Sequence, residues 1–287
     1  MSLYYYNIYG INISCNVELS LLEQIKDCDP QLKVVFVKGE VLECSKVIVE
    51  SDDTINVYLG NIANYKVDVK NNYIECISEN EEAFFSTLFN IPFSIYFLKQ
   101  KEILFHTCTI VLNDKVFCLC GNKGVGKSTL TKLLSEYDRV DVFGDDTLRI
   151  AINGKCFKAH NLIKLTEETA EKFNIEKGVT HRKNCAGKLY FVNDDKYDNV
   201  MIDYIVQIYR TSQKAPYITF VETDSIKEYI CRKNIVGIEY FTYPMLSQLL
   251  SNLKYVKGKY LNLYVPDDFE GIKTNGNYVY KLLCECV

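Results

Sequence analysis

The 287-residue chain has no tryptophan, no surplus of positive charge and no apolar run near the roughly 18 residues that a membrane-spanning helix needs. The start, Met1-Ser2-Leu3-Tyr4, lacks the basic lead of a secretory signal. Both absences argue for a cytosolic protein. A net charge of −4 excludes a general electrostatic footprint for nucleic acid. No C-x2-C pair occurs among the twelve cysteines, which excludes a zinc ribbon. In a reducing compartment these thiols are expected to be buried as small hydrophobes. Cys118 and Cys120 alternate along one strand and share a face, and Cys284 and Cys286 are expected to do the same near the end. No internal repeat or low-complexity tract appears.

What is present is ordinary for a folded protein: 48% hydrophobic and 24% charged residues, with length enough for one large domain or two small ones. The 22 tyrosines are scattered through both halves, which suits strand packing better than a stacking platform.

One stretch organises the rest. Gly121-Asn122-Lys123-Gly124-Val125-Gly126-Lys127-Ser128 matches G-x-x-x-x-G-K-[ST], the phosphate-binding loop. An apolar strand-length run, residues 116–120, precedes it, and Leu130, Leu133 and Leu134 follow at helical spacing. Glycines let the backbone reach positive φ and approach an anion closely. Successive N–H groups and the helix N-terminus then cradle phosphate oxygens. Lys127 is expected to reach the β- and γ-phosphates and Ser128 to ligate Mg²⁺. Thr129 completes the expected nucleotide-binding set.

Residues 1–80 read as a small β-rich, antiparallel domain. Strands are expected near residues 3–9, 11–17, 33–37, 46–49, 54–59, 65–69 and 73–77, with a helical turn at 21–25. Residues 81–100 are apolar on much of their circumference and form a connecting helix that Pro92 splits or kinks. Residues 101–287 form the nucleotide-binding domain. Its strands are expected at 103–112, 115–120, 139–143, 147–152, 188–192, 201–209, 217–221 and 260–265. Asn153-Gly154 signals a type I′ hairpin turn. Helices are expected at 166–173, 225–231 and 243–255, and loops around 181–184 and 193–196.

Asp145 lies 18 residues after Lys127, room for one helix, a loop and one strand. A strand, crossover helix and parallel neighbour strand would bring Asp145-Asp146 beside the phosphate loop. One carboxylate can hold Mg²⁺ while the other takes the proton of an acceptor hydroxyl. We assign the base to Asp145 and the metal side to Asp146 with Ser128. His106 sits within the strand at 103–112. Antiparallel pairing of that strand with 115–120 would bring His106 near Gly121 and one of the acids. Lys158, Lys164, Arg182, Lys188 and Arg210 are candidate cations to stabilise transferring phosphoryl oxygens. His160 and His181 have no partner legible in the sequence.

Phe105-His106, a hairpin, the 121–128 loop and then Gly144-Asp145-Asp146 resemble the catalytic domain of the bacterial HPr kinase/phosphorylase family. The resemblance is greater still to the HPr-kinase-related serine kinases found beside peptide-modifying and other biosynthetic genes. The motifs span residues 104–150, and the remainder is similar in layout only. The resemblance implies an α/β P-loop kinase of the phosphoenolpyruvate-carboxykinase-like type with a mixed, twisted sheet. It also implies that the acidic pair activates a serine hydroxyl while the histidine buttresses one acid. Thr129 stands where HPr kinases carry Glu, and their Arg-containing glycine-rich signature is missing, with Arg210 a weak substitute. Both departures put HPr itself in doubt as substrate, and the reverse phosphorylase activity too.

The expected function is ATP- and Mg²⁺-dependent transfer of the γ-phosphoryl group to a hydroxyl, foremost a serine of a peptide or small protein. A small-molecule hydroxyl kinase of the same fold and a non-catalytic nucleotide-binding regulator are the alternatives. A homo-oligomer is compatible with the sequence. No nucleic-acid or membrane partner is expected.

Overall fold

The computed structural model describes residues 2–19, 22–172, 180–183, 188–192, 196–267 and 276–287. These residues form a mixed α/β architecture with four sheets. Residues 4–78 make a seven-stranded sheet from β1 (Tyr4–Ile8), β2 (Ile11–Cys15), β3 (Leu32–Lys38), β4 (Ser45–Val49), β5 (Thr54–Leu59), β6 (Asn64–Asp68) and β7 (Tyr73–Ser78). Buried and half-buried residues alternate strictly along β5 and β7, the period-2 signature of a sheet with one face on a core.

The sheet is not the antiparallel one expected. Its order is β1-β2-β3-β7-β6-β5-β4, and β2–β3 and β3–β7 pair in parallel. Parallel neighbours need a connection of about a dozen residues or more. The long link between β2 and β3, and the β4–β6 meander before β7, supply it. Nor do residues 22–25 form a helical turn; the Ile25 N–H instead bonds the Tyr5 carbonyl at the β1 edge (2.9 Å). Leu21 lies outside the described residues.

The connecting segment divides into α1 (Glu81–Leu88) and α2 (Ile91–Lys99), with Pro92 in the first turn of α2, where its missing N–H costs nothing. Asn80 caps α1 by accepting the Ala83 N–H (2.8 Å).

The expected strand over 103–112 is two strands. β8 (Ile103–Phe105) joins a four-stranded sheet with β12 (Leu148–Ile150), β13 (Lys155–Lys158) and β17 (Val200–Met201). β9 (Cys108–Leu112) joins a six-stranded sheet, and His106-Thr107 is the break between them. That second sheet contains β10 (Lys115–Cys120), β11 (Val140–Gly144), β18 (Tyr204–Thr211), β19 (Tyr217–Val221) and β20 (Lys259–Pro266), ordered β11-β9-β10-β18-β20-β19. It is mixed: β10–β18 and β18–β20 are parallel, and the other pairs antiparallel. So β11 is not the parallel neighbour of β10, because β9 lies between. Two antiparallel steps restore the direction, and β11 still ends at the same edge as β10.

A three-stranded sheet of β14 (Leu162–Thr166), β15 (Thr180–Lys183) and β16 (Lys188–Val192) flanks that edge. Residues 181–183, expected as loop, belong to β15. Between β12 and β13 only Gly154 has positive φ (81°), and its N–H bonds the Ala151 carbonyl (2.8 Å), so the turn is not type I′. The helices are α3 (Lys127–Leu134), α4 (Glu167–Lys172), α5 (Asp224–Lys233), α6 (Tyr243–Asn252) and α7 (Gly276–Glu285). α7 was not expected. Cys284 lies on this helix rather than on a strand.

One core runs unbroken from the seven-stranded sheet through α1, α2, β8 and β12 to one face of the six-stranded sheet. A second lies under α3 and α7 on the other face. The β1–β2 hairpin tip is seated in this arrangement. The Tyr9 N–H bonds the Lys158 carbonyl (2.9 Å), and its hydroxyl donates to the Phe89 carbonyl (2.7 Å) beside Thr147 Oγ1. Arg149 grips Glu102 with two bonds (2.7 and 2.8 Å) and donates a third to the Tyr9 carbonyl (2.8 Å).

Candidate active site

β10 delivers the glycine-rich loop to the sheet edge, and α3 carries it away. Gly121, Gly124 and Gly126 all have positive φ (148°, 83° and 97°), the conformation their lack of Cβ permits. A Cβ at Gly121 would lie 2.9 Å from Val125 Cγ1 and 3.1 Å from the Ile208 carbonyl, so the chain is crowded as well as turned there. Lys127 is buried and bends back to donate to the Gly121 carbonyl (2.8 Å). The N-terminus of α3 then faces a cavity of about 360 Å³.

β11 brings the acidic pair to the same cavity. Asp145 is 2% exposed, and both its oxygens accept hydrogen bonds. Oδ1 accepts from Ser128 Oγ (3.0 Å) and from the Cys108 thiol (2.6 Å); Oδ2 accepts from the Lys164 N–H (2.8 Å). Burial, and then Asp145 itself, push the Cys108 thiol well above its usual range, so it stays protonated and donates.

Asp146 has positive φ (79°) and turns the other way. Lys164 Nζ lies 2.6 Å from its Oδ2, and His106 Nε2 lies 3.6 Å from its Oδ1. Burial opposes its ionisation, but the Lys164 ammonium and then His106 outweigh that, so the carboxyl sits well below the usual carboxylate range. A quarter of the side chain (24%) remains exposed, leaving room for a proton donor to approach.

The expected residues therefore converge. Lys123, Gly124, Gly126, Lys127, Ser128 and Thr129 line the cavity opposite His106, Asp145 and Asp146. Gly121, Asn122 and Val125 belong to the loop but do not line the cavity. Ser128, expected beside Asp146, instead touches Asp145, and His106 faces Asp146. Ser128 and Asp145 are hard oxygen donors side by side, the chemistry Mg²⁺ takes from protein when phosphates and water complete its shell. Among the described residues no group of three or more His, Cys, Asp or Glu gathers to hold an ion by itself.

Of the candidate cations, Lys164 and Arg210 reach the cavity. Lys158 instead sits over the Phe143 ring (4.9 Å). His160 is buried behind the site, its pKa lowered to about 3, chiefly by burial. The side chains of His181, Arg182 and Lys188 lie outside the described residues. Three residues escaped the sequence reading: Cys108, Asn234 and Gln207. Cys108 carried a faint signal, two residues past His106 and on the same strand pair as the loop.

No protein-family model matches the chain, and no curated protein matches it. Among solved structures the chain is similar to the Hpr(Ser) kinase/phosphatase from Coxiella burnetii, at 9% sequence identity and a TM-score of 0.35, over 64% of this chain and 89% of that one.

Proposed function

We propose that the protein is a P-loop kinase of the phosphoenolpyruvate-carboxykinase-like type, related to HPr kinases. It transfers the γ-phosphoryl group of ATP to a hydroxyl, foremost a serine of a peptide or small protein. The observation that carries this reading is the meeting of Lys127, Ser128, Asp145 and Asp146 around one cavity.

In this reading Lys127 leaves the Gly121 carbonyl for the β- and γ-phosphate oxygens, while the loop N–H groups hold the rest of the polyphosphate. Ser128 and Asp145 hold Mg²⁺, which neutralises phosphate charge when bound. Asp146 takes the acceptor proton as the hydroxyl oxygen bonds to the γ-phosphorus and the bond to the β-phosphate oxygen breaks. His106 and Lys164 hold the Asp146 carboxylate in place. Lys164, which lines the same cavity, also steadies the charge of the transferring group.

The test is incubation with labelled ATP, Mg²⁺ and serine-containing peptides, beside hydroxyl-bearing metabolites. Asp146→Asn is expected to lower transfer roughly 10²- to 10⁴-fold while nucleotide still binds. Asp145→Asn is expected to weaken the Mg²⁺-dependent part of binding. If the two variants exchange these behaviours, the acids have the opposite roles. If the protein binds ATP and transfers to nothing, it is a nucleotide sensor.

A further inference from the structure

Asn234 lies 113 residues from the phosphate loop and follows directly on α5, yet it is bonded to the loop's first residue. It is 2% exposed. Its Oδ1 accepts the Gly121 N–H (3.0 Å), and its Nδ2 donates to Gln207 Oε1 (3.0 Å) and to the Ile230 carbonyl (2.8 Å). Only one orientation of the amide satisfies all three, because a flip would face donor to donor at Gly121 and acceptor to acceptor at Ile230. The Asn234 carbonyl also accepts the His106 N–H (2.6 Å). The register continues beyond it: Ile235 bridges Phe105, and the Val236 N–H bonds the Leu104 carbonyl (3.0 Å).

Gly121 is thus pinned on both sides. The peptide before it is held by Asn234 and the peptide after it by Lys127. In the nucleotide reading above, on which this inference rests, Lys127 gives up the Gly121 carbonyl to reach phosphate. Asn234 then becomes the tether that keeps the glycine, φ 148°, in place. Through its backbone the same residue fixes His106 in the break between β8 and β9. We propose that Asn234 is a positioning residue, one that sets the phosphate loop and the Asp146-facing histidine in register with each other, with Gln207 holding its amide in the working orientation. It touches neither nucleotide nor acceptor.

The experiment compares Asn234→Ala, Gln207→Met and, as a control, Ile230→Val, a buried trim on the same helix that breaks none of these bonds. Each is titrated with Mg²⁺ and the non-hydrolysable ATP analogue AMP-PNP. Melting temperature and amide hydrogen exchange at Gly121 are followed in parallel. Asn234→Ala is expected to weaken AMP-PNP roughly 10- to 100-fold and to speed exchange at Gly121. Gln207→Met is expected to fall between it and wild type, and Ile230→Val to match wild type in both at a comparable loss of melting temperature. Binding by Asn234→Ala within twofold of wild type overturns the inference. So does an equal loss in Ile230→Val, which would make the effect general softening of α5. If the wild-type protein binds no AMP-PNP, the kinase reading falls by itself, and Gly121 exchange alone decides whether the tether exists.

Discussion

His160 shows how one buried side chain couples this protein to pH. It is 6% exposed, packed edge-on to Phe89, and its Nδ1 accepts the Leu162 N–H. Burial depresses its pKa to about 3, so the folded protein keeps it neutral while the unfolded chain protonates it near pH 6.5. The unfolded state therefore gains protons first as pH falls. His160's contribution is complete above about pH 6.5 and is lost progressively towards pH 3. Between pH 7 and pH 5 this amounts to about 2 kcal/mol. Denaturant unfolding at both values should show that loss in wild type, and His160→Gln should flatten it. At the same scale the loop glycines differ in what they tolerate. A Cβ at Gly124 meets nothing within 4 Å, so Gly124→Ala is expected to cost about 1–2 kcal/mol of backbone strain alone. Gly121→Ala adds a clash with Val125 and the Ile208 carbonyl, and should cost more and weaken nucleotide binding. Thermal melts with and without AMP-PNP would separate the two.

Elements explain which parts of the site were readable in advance. The strand, glycine-rich turn and helix at residues 115–134 were legible because they are consecutive, so local chemistry specifies them. Asp145 and Asp146 were legible as partners of the loop, but by the wrong route. The expectation was a parallel neighbour strand, whereas β9 intervenes and two reversals return the chain to the same edge. Residues 103–112 read as one strand because the run is apolar around His106, and nothing periodic marks a pivot there. Asn234 and Gln207 had no local signal, since their meaning comes from contacts made across the fold. The parallel pairs of the seven-stranded sheet were equally hidden, because alternation reports which face is buried and not which strand lies alongside. α7 offers only Val279 and Leu283 as buried apolar positions, too few for a helical pattern to stand out. One element-level prediction follows from the Asp145 contacts. Cys108→Ala removes one of two donors to Oδ1 and leaves Ser128 in place. It should cost about 1 kcal/mol of stability, as for a single lost hydrogen bond, and be read as a shift in denaturant midpoint.

At the scale of the whole molecule the seven-stranded sheet and one face of the six-stranded sheet share a core. A chain beginning at residue 101 would lose the cover over β8 and β12, and is expected to be recovered unfolded or aggregated. The intact chain should melt in one transition by calorimetry. The buried Glu102–Arg149 pair lies at this junction, its guanidinium also over the rings of Phe97 and Phe157 (4.8 and 5.2 Å). Arg149→Met strands the Glu102 carboxylate and should destabilise by about 3–5 kcal/mol, measured by denaturant unfolding.

The seat of the β1–β2 hairpin has a consequence for how such a chain could be recombined. Tyr9 reaches Thr147, the residue immediately after Asp146, and the Gly10 position has no room for a Cβ beside Phe157. A fusion that grafted a foreign head onto the rest of this chain would have to preserve that fingertip, or carve a new socket for whatever replaced it.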